Sequence, residues 1–369
     1  MNMEISLHNY CTNFIIFILF YQNIKMKMRN MIEIDGSTGS GGGQILRTAT
    51  ALAVVTKKPC RLFNIRGGRP KPGLMAQHLL GIQALAQLCN GSLEGDRLGS
   101  EEIKFYPGEI GRERLSINIP TAGSITLVLQ TLIPPALFAP QPIKITFDGG
   151  ATDTFFSPTI DHFRYVFLKI LEKMGAKIEI NVLRRGYYPE GGAKVEATVF
   201  PSKLKPISLT ERGQFKKILV FSGAANALKD KKVAERQIAG VREVLGKLKL
   251  PIEEKIEYYD TRSPGSQICL VAEFENAIIG TDNLGKLGKR AEDVGKEATL
   301  ELLKEEKSGA CLDKHLADQI LPFLALVLGK SQITVSEITD HCKTNIWVIE
   351  NFLEGKFEIR GNLISWSPR

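Results

Sequence analysis

Three stretches of this chain repeat one another, and that repetition restricts the possible folds more than any other feature. The segments starting at Gln44 (QILRTATALAVVTKKPCRLFNIRGG), Val128 (VLQTLIPPALFAPQPIKITFDGG) and Asp318 (DQILPFLALVLGKSQITVSEITD) each run from an apolar helix through a short polar turn into an apolar strand ending in polar or glycine residues. A second amphipathic helix follows each: Gly73 to Cys89, Ser157 to Met174, and Cys342 to Leu353. Two strand-like runs come next, SLEGDRL with EIKFYPG, AKIEINVL with AKVEATVF, and KFEIRG with NLISWS. The repeating unit is β-α-β-α-β-β, so the expected class is α+β, with sheets packed against paired helices. At 369 residues, 43% hydrophobic and 24% charged, the chain can bury one large core or two.

Residues 211–307 break the period. Val233, Ile238, Val241, Val244, Leu245 and Leu248 recur at helical spacing there, and Ile268, Leu270, Ala272 and Phe274 alternate as in a strand. We read a small inserted α+β domain without chemistry, between 31–210 and 308–369, which together hold the repeats. Residues 1–30 lie outside the pattern. Phe14 to Phe20 is too short to span a bilayer, which needs about 20 apolar residues, and Lys25, Lys27 and Arg29 follow the apolar run instead of preceding it as in a signal peptide. The expectation is a disordered or spurious extension, with Met28 or Met31 as the start, and no membrane association. The six cysteines form no CxxC and no zinc spacing, so they read as reduced thiols of a cytoplasmic protein.

The unusual chemistry is concentrated between Ile34 and His78. Gly39, Gly41, Gly42 and Gly43 precede a helix carrying Gln44 and Arg47, so backbone N–H groups and the helix dipole can face an anion. Arg66, Arg69 and Lys71 follow in a second loop. The glycine run alone is equally an ordinary turn; the neighbouring cations favour a polyanion site, and the net charge of +8 agrees with an anionic partner. The ends of the repeats' second strands carry Arg66 and Arg69, then Asp153, then His341, which suggests that three corners meet at one cleft.

With five histidines, a nucleophile can be sought by elimination. His8 lies in the extension. His162 reads as a partly exposed helix residue. His78, after Gln77, either reaches a phosphate or caps a packing contact. His341 opens a helix in the run DHCKTN, where free N–H groups could steady a transferring phosphoryl group; a capping or core role is the alternative. His315, in KHLADQ, is flanked by Asp318 and Gln319, which could contact a ribose or base. Two motifs fail: Gly329-Lys330-Ser331 has Leu324 where a Walker A loop needs glycine, and Gln44 replaces the last glycine of a dinucleotide fingerprint.

The motifs DGSTGSGGGQILRT, IRGGRPKPGLMAQH, AGSITLVLQT, HLADQ and HCKTN, in this order, resemble the RNA 3'-terminal phosphate cyclases from Met31 onward. The resemblance implies three β-α-β-α-β-β units and one inserted domain. It also implies ATP as co-substrate and an RNA 3'-phosphate end as partner. His341 would attack the α-phosphorus to give a histidinyl-AMP; AMP would pass to the RNA 3'-phosphate, and the 2'-hydroxyl would displace it to leave a 2',3'-cyclic phosphate. Arg47, Arg66, Arg69, Gln77 and His78 would hold phosphates. Gln130, Asp318 and Gln319 would line the nucleotide site, with the adenine between Pro158 and His315, where the family can have tyrosine. A divalent metal, Mg or Mn, is implied too, but Ser40 stands where the family commonly has a metal-associated glutamate, and a neutral hydroxyl is the weaker ligand. Two other readings are a non-catalytic cyclase-like protein of ribosome biogenesis, against which His341, Arg47, Arg66 and Arg69 argue, and an enolpyruvyl transferase, which needs no histidine nucleophile. Oligomeric state is not legible in the residues.

Overall fold

The computed structural model describes residues 31–246 and 248–369; the reading of residues 1–30 falls outside them. The first repeat comprises β1 (Ile32–Asp35), α1 (Gly43–Thr56), β2 (Cys60–Phe63), α2 (Ala76–Leu88), β3 (Ser92–Glu94) and β4 (Ile103–Tyr106). The second comprises β5 (Arg114–Ser124), α3 (Ile125–Ala136), β6 (Ile143–Ala151), a helix α4, β7 (Lys177–Arg184) and β8 (Lys194–Phe200). Helix α4 runs through Ile160–His162, a π-turn at Phe163–Phe167, and Leu168–Lys173. The third opens with β9 (Ser208–Leu209) and is then interrupted by β10 (Phe215–Ala225), α5 (Val233–Leu245), β11 (Ile252–Tyr259), β12 (Ser266–Phe274), β13 (Ile278–Leu284) and α6 (Ala291–Lys307). It resumes with α7 (Lys314–Ala325), β14 (Ser331–Thr334), α8 (Asp340–Phe352), β15 (Gly355–Arg360) and β16 (Leu363–Pro368).

The sheets make the internal likeness concrete. Strand orders β1-β2-β4-β3, β5-β6-β8-β7 and β9-β14-β16-β15 are one pattern: first, second, fourth, third. In each, the first two strands run parallel and the rest antiparallel, as a helical crossover followed by a hairpin requires. The inserted sheet, β11-β10-β12-β13, instead puts its first strand inside, so it is not a fourth copy. The insert is spliced between the first strand and first helix of repeat three. Arg212 closes the splice: its Nη1 donates to Glu306 O at 2.7 Å and its Nη2 to Glu305 O at 2.8 Å, satisfying carbonyls that the end of α6 leaves open.

Alternation along the strands turns Ile117, Ile145 and Val195 inward, while Ile45, Leu52, Leu129, Leu132 and Phe323 fill the space between helices. Helix α1 is buried on nearly every side because α2, α3 and α8 all pack on it. Its polar first turn therefore points into the molecule, not away from it.

One expectation fails here. His162 is not partly exposed but 3% exposed. The π-turn helix that carries it has the core on one side and Gly280 of β13 on the other, and its Nε2 lies 3.9 Å from Asp313 at the start of α7. Amphipathic spacing reported one buried face; the insert covers the other.

Candidate active site

The glycine loop is shaped by backbone need. Gly39 and Gly41 sit at φ +56° and +53°, the left-handed region that glycine enters without a steric penalty. Gly43, at the start of α1, is in direct contact with the His78 ring, so a β-carbon there would collide with Nε2. Gly42 caps α1 without any side-chain bond, leaving the first-turn N–H groups open toward a ligand. A β-carbon built on Gly42 would stand 3.1 Å from the Arg69 guanidinium, 3.6 Å from His341 Cε1 and 3.8 Å from Ser40 Oγ, so these three groups ring the helix entrance.

His341 lies in the first turn of α8, which Thr339 caps by accepting from Cys342 N at 3.2 Å. Its imidazole is oriented by Gln44. The Gln44 Nε2 donates to Asp318 Oδ2 at 2.9 Å and to the His341 carbonyl at 3.1 Å, both acceptors, which fixes the amide orientation. Gln44 Oε1 therefore faces His341 Nδ1 as an acceptor, the proton resides on Nδ1, and Nε2 keeps its lone pair. Burial, Arg69, Arg47 and His315 hold the ring below the usual imidazole range, so it is neutral at physiological pH.

Behind it, α1, α7 and α8 are locked together. Thr48 Oγ1 donates to Asn345 Oδ1 at 2.7 Å, and Asn345 Nδ2 to the Asp318 carbonyl at 2.7 Å. A cavity of about 30 Å³ opens beside this network, lined among others by Gln44, Arg47, Gln130, Asp318 and Gln319. It has room for a water molecule and not for a base. Burial pushes Asp318 up to about 7, against the pull of Arg47. Burial pulls Arg47 down to about 10, opposed by Asp318. His78 falls to about 3 through burial, Arg47 and Arg66, and Met75 N donates to its Nδ1 at 3.3 Å, so its Nε2 carries the proton toward Gly43. Burial and Arg69 lower Arg66, whose Nη1 is held by the carbonyls of Lys71 (2.6 Å) and Gly73 (3.0 Å). The lowering of His78 by Arg47 and Arg66, and of Arg66 by Arg69, is the mark of a positive potential that an anion would relieve.

Most of the residues singled out in the sequence converge. His341, Arg69 and Ser40 surround Gly42; His78 covers Gly43; Gln130 donates to Gln319 at 2.8 Å across the cavity wall. Gln77 spends its Oε1 on Ser124 N at 3.3 Å, leaving its NH₂ as donor. Pro158 reaches the set through Thr126, whose hydroxyl donates to the Pro158 carbonyl at 2.9 Å. His315 is exposed on the first turn of α7. Asp153 does not join: it is buried against Arg185 at 3.1 Å, with Asp161 on the other guanidinium nitrogen at 2.6 Å. The orienting roles of Gln44, Thr48 and Asn345 were missed. A signal existed: Gln44 with Thr48 and His341 with Asn345 are both four apart, one face of each helix.

The metal expected from the resemblance finds a poor donor set. Ser40 Oγ is buried without a hydrogen-bond partner, its backbone N–H being held by Thr344 Oγ1 at 3.1 Å. Among the described residues no three His, Cys, Asp or Glu side chains gather where they could hold a cation. One neutral hydroxyl does not make a protein-built divalent site. Nor, among the described residues, is any helix long and apolar enough to cross a membrane.

A family model described as RNA 3'-terminal phosphate cyclase matches residues 38–359. The RNA 3'-terminal phosphate cyclase of Pyrococcus abyssi is 46% identical over 334 residues, covering 90% of this chain and 96% of that protein. The protein of the same name from Ignicoccus hospitalis is 43% identical over 343 residues, covering 90% and 96%. A solved structure, the enolpyruvyl transferase NikO from Streptomyces tendae, aligns with a TM-score of 0.41 at 9% identity over 92% of this chain and 48% of that one, too slight a likeness to argue from. A family match over most of the chain, with relatives matched almost end to end, fits a glycine loop, an oriented histidine and a ring of arginines: this chain belongs to the RNA 3'-terminal phosphate cyclase family.

Proposed function

We propose that the protein, acting in the cytoplasm, uses ATP to convert an RNA 3'-terminal phosphate into a 2',3'-cyclic phosphate, with His341 as covalent nucleophile. The observation carrying this reading is the His341–Gln44 contact: a neutral imidazole with its proton held on Nδ1 offers Nε2 to an electrophile beside an open helix N-terminus. In the first step the Nε2–P bond forms at the α-phosphorus and pyrophosphate departs. In the second an oxygen of the RNA 3'-phosphate takes the adenylyl group and the P–N bond breaks. In the third the 2'-hydroxyl attacks the 3'-phosphorus, losing its proton, and AMP leaves. A phosphate oxygen is a poor leaving group and AMP a good one, which is why the sequence needs ATP.

The protein's own groups act on charge and orientation. Arg47, Arg66 and Arg69, with the first-turn N–H groups of α1, oppose negative charge that builds on the triphosphate. His78, neutral, adds one N–H donor near Gly43. A divalent ion, Mg or Mn, would come with the nucleotide, held by its phosphates, and no step here runs through it. The test is direct: RNA ending in a 3'-phosphate is incubated with and without ATP, and the terminus is checked for phosphatase resistance. ATP-dependent resistance, with AMP and pyrophosphate formed in step, supports the reading; resistance without ATP, or none with it, would sink it.

A further inference from the structure

Phe156 is fully exposed and sits at φ +65°, a conformation that a phenylalanine rarely adopts. Its turn is pinned rather than slack. Ser157 Oγ donates to Thr154 O at 2.9 Å on one side, and Thr159 N donates to Asp282 Oδ2 of β13 at 2.6 Å on the other. Beside it, Phe155 lies under Lys286 Nζ, 5.2 Å from the ring centroid. Lys286 belongs to the loop between β13 and α6, which also presents a fully exposed Leu287 and an exposed Arg290 held only loosely to Glu292 at 3.6 Å. Two separate segments, repeat two and the insert, thus bring together a strained, outward-held Phe156, its neighbour Phe155 under Lys286, and a loop that carries the exposed Arg290.

The turn is tied to the active site through buried hydrogen bonds. Pro158 follows two residues after Phe156 and accepts from Thr126; Ser124, two residues before Thr126, donates through its N–H to Gln77; His78, next in sequence, covers Gly43. We infer that Phe156 is a stacking platform for a base of the RNA strand near its 3' end, with Lys286 and Arg290 meeting the adjoining phosphates. An aromatic face with neighbouring cations is the combination that single-stranded nucleic acid selects. Lysine is depleted at the centre of protein–protein contacts, so a protein partner is the poorer fit. The inference rests on the proposed reaction for its substrate, and it gives the insert a task that its sequence did not announce.

Two readouts test it, the first independent of turnover. Phe156→Trp puts an exposed indole at the turn, and titration with a short oligoribonucleotide bearing a 3'-phosphate should quench its fluorescence. Phe156→Ala should raise the RNA KM about tenfold, the loss expected for one base–aromatic stack, with kcat little changed, while Phe156→Tyr should behave like the parent. Lys286→Ala should weaken RNA binding and flatten its dependence on salt. Covalent labelling by ATP, which precedes RNA, reports that each variant is folded. Unquenched indole with an unchanged KM in Phe156→Ala overturns the inference, as does a shift in oligomeric state in place of RNA affinity. If no cyclic phosphate forms at all, the quench still decides whether RNA stacks there, so failure of the reaction and failure of the platform are told apart.

Discussion

Two clusters of arginine and aspartate lie in this molecule, one buried and one partly open to solvent, and they are built in opposite ways. Where repeat two meets the insert, Arg185 bridges Asp153 and Asp161, lies 4.6 Å over the Tyr259 ring, and has Tyr187 and Gln267 hydrogen-bonded beside it. Burial lowers its guanidinium but Asp161 and Asp153 more than compensate, so it stays charged. At the convergence of the repeats, Arg47 and Asp318 feel each other without a direct ion pair among the described residues, Arg66 and Arg69 repel, and Ser40 Oγ has no partner. The first cluster is complete in itself. The second is left short of negative charge, as a site awaiting a polyanion should be.

Removing the cation from each cluster gives the largest contrast. Arg185→Met strands two carboxylates and should destabilise the fold by about 3–5 kcal/mol. Arg47→Met removes a cation that is costly to bury and should leave stability almost unchanged while slowing adenylylation severely. Urea unfolding and labelling rates, measured on both variants, check this; equal losses of stability would erase the distinction.

Next comes the orienting amide. Gln44→Leu takes away the acceptor on His341 Nδ1, and labelling should slow about 10- to 100-fold, the usual loss when a group that orients an imidazole is removed. Unfolding should move little. A normal rate in Gln44→Leu would mean that another group sets the tautomer.

The pH dependence separates the clusters more gently. Asp318, raised to about 7 from its ordinary 3.8, binds its proton more tightly folded than unfolded, so stability it contributes at low pH is lost as pH rises from about 3.8 to about 7. Asp318→Asn keeps the acceptor for Gln44 and removes that loss, so its gain in melting temperature should be greater at about pH 8 than at about pH 5. His341, lowered from 6.5, should keep labelling flat until the pH falls below that value. A labelling rate that already declines between pH 8 and 7 would contradict a depressed His341.

How much of this the sequence disclosed follows from the kind of signal involved. The repeats were legible because helix and strand periods recur in the same order; the two-residue β9, set apart from the rest of repeat three by the insert, is too short to carry a period and was not read. Gly39 to Gly43 and the run DHCKTN were legible because unusual residues lie close together. The Arg185 cluster was not: its members stand at 153, 161, 185 and 267 and have no shared spacing, so Asp153 looked like a corner of the site. His162 was misread because periodicity reports one buried face and says nothing of a domain folded over the other.

The smallest expected effect concerns Ser40. Ser40→Glu places a carboxylate in the loop whose hydroxyl has no partner, and half-maximal adenylylation should be reached at lower free metal, with ATP dependence changed less. An unchanged titration would show that another ligand already serves.

The central claim is that the incomplete cluster exists to form a bond at one nitrogen. Protein treated with ATP, digested and analysed by mass spectrometry at alkaline pH should show AMP on the peptide containing His341, lost on acid treatment, absent in His341→Ala and retained in His162→Ala. AMP on His315 or a lysine, or label persisting in His341→Ala, would contradict it.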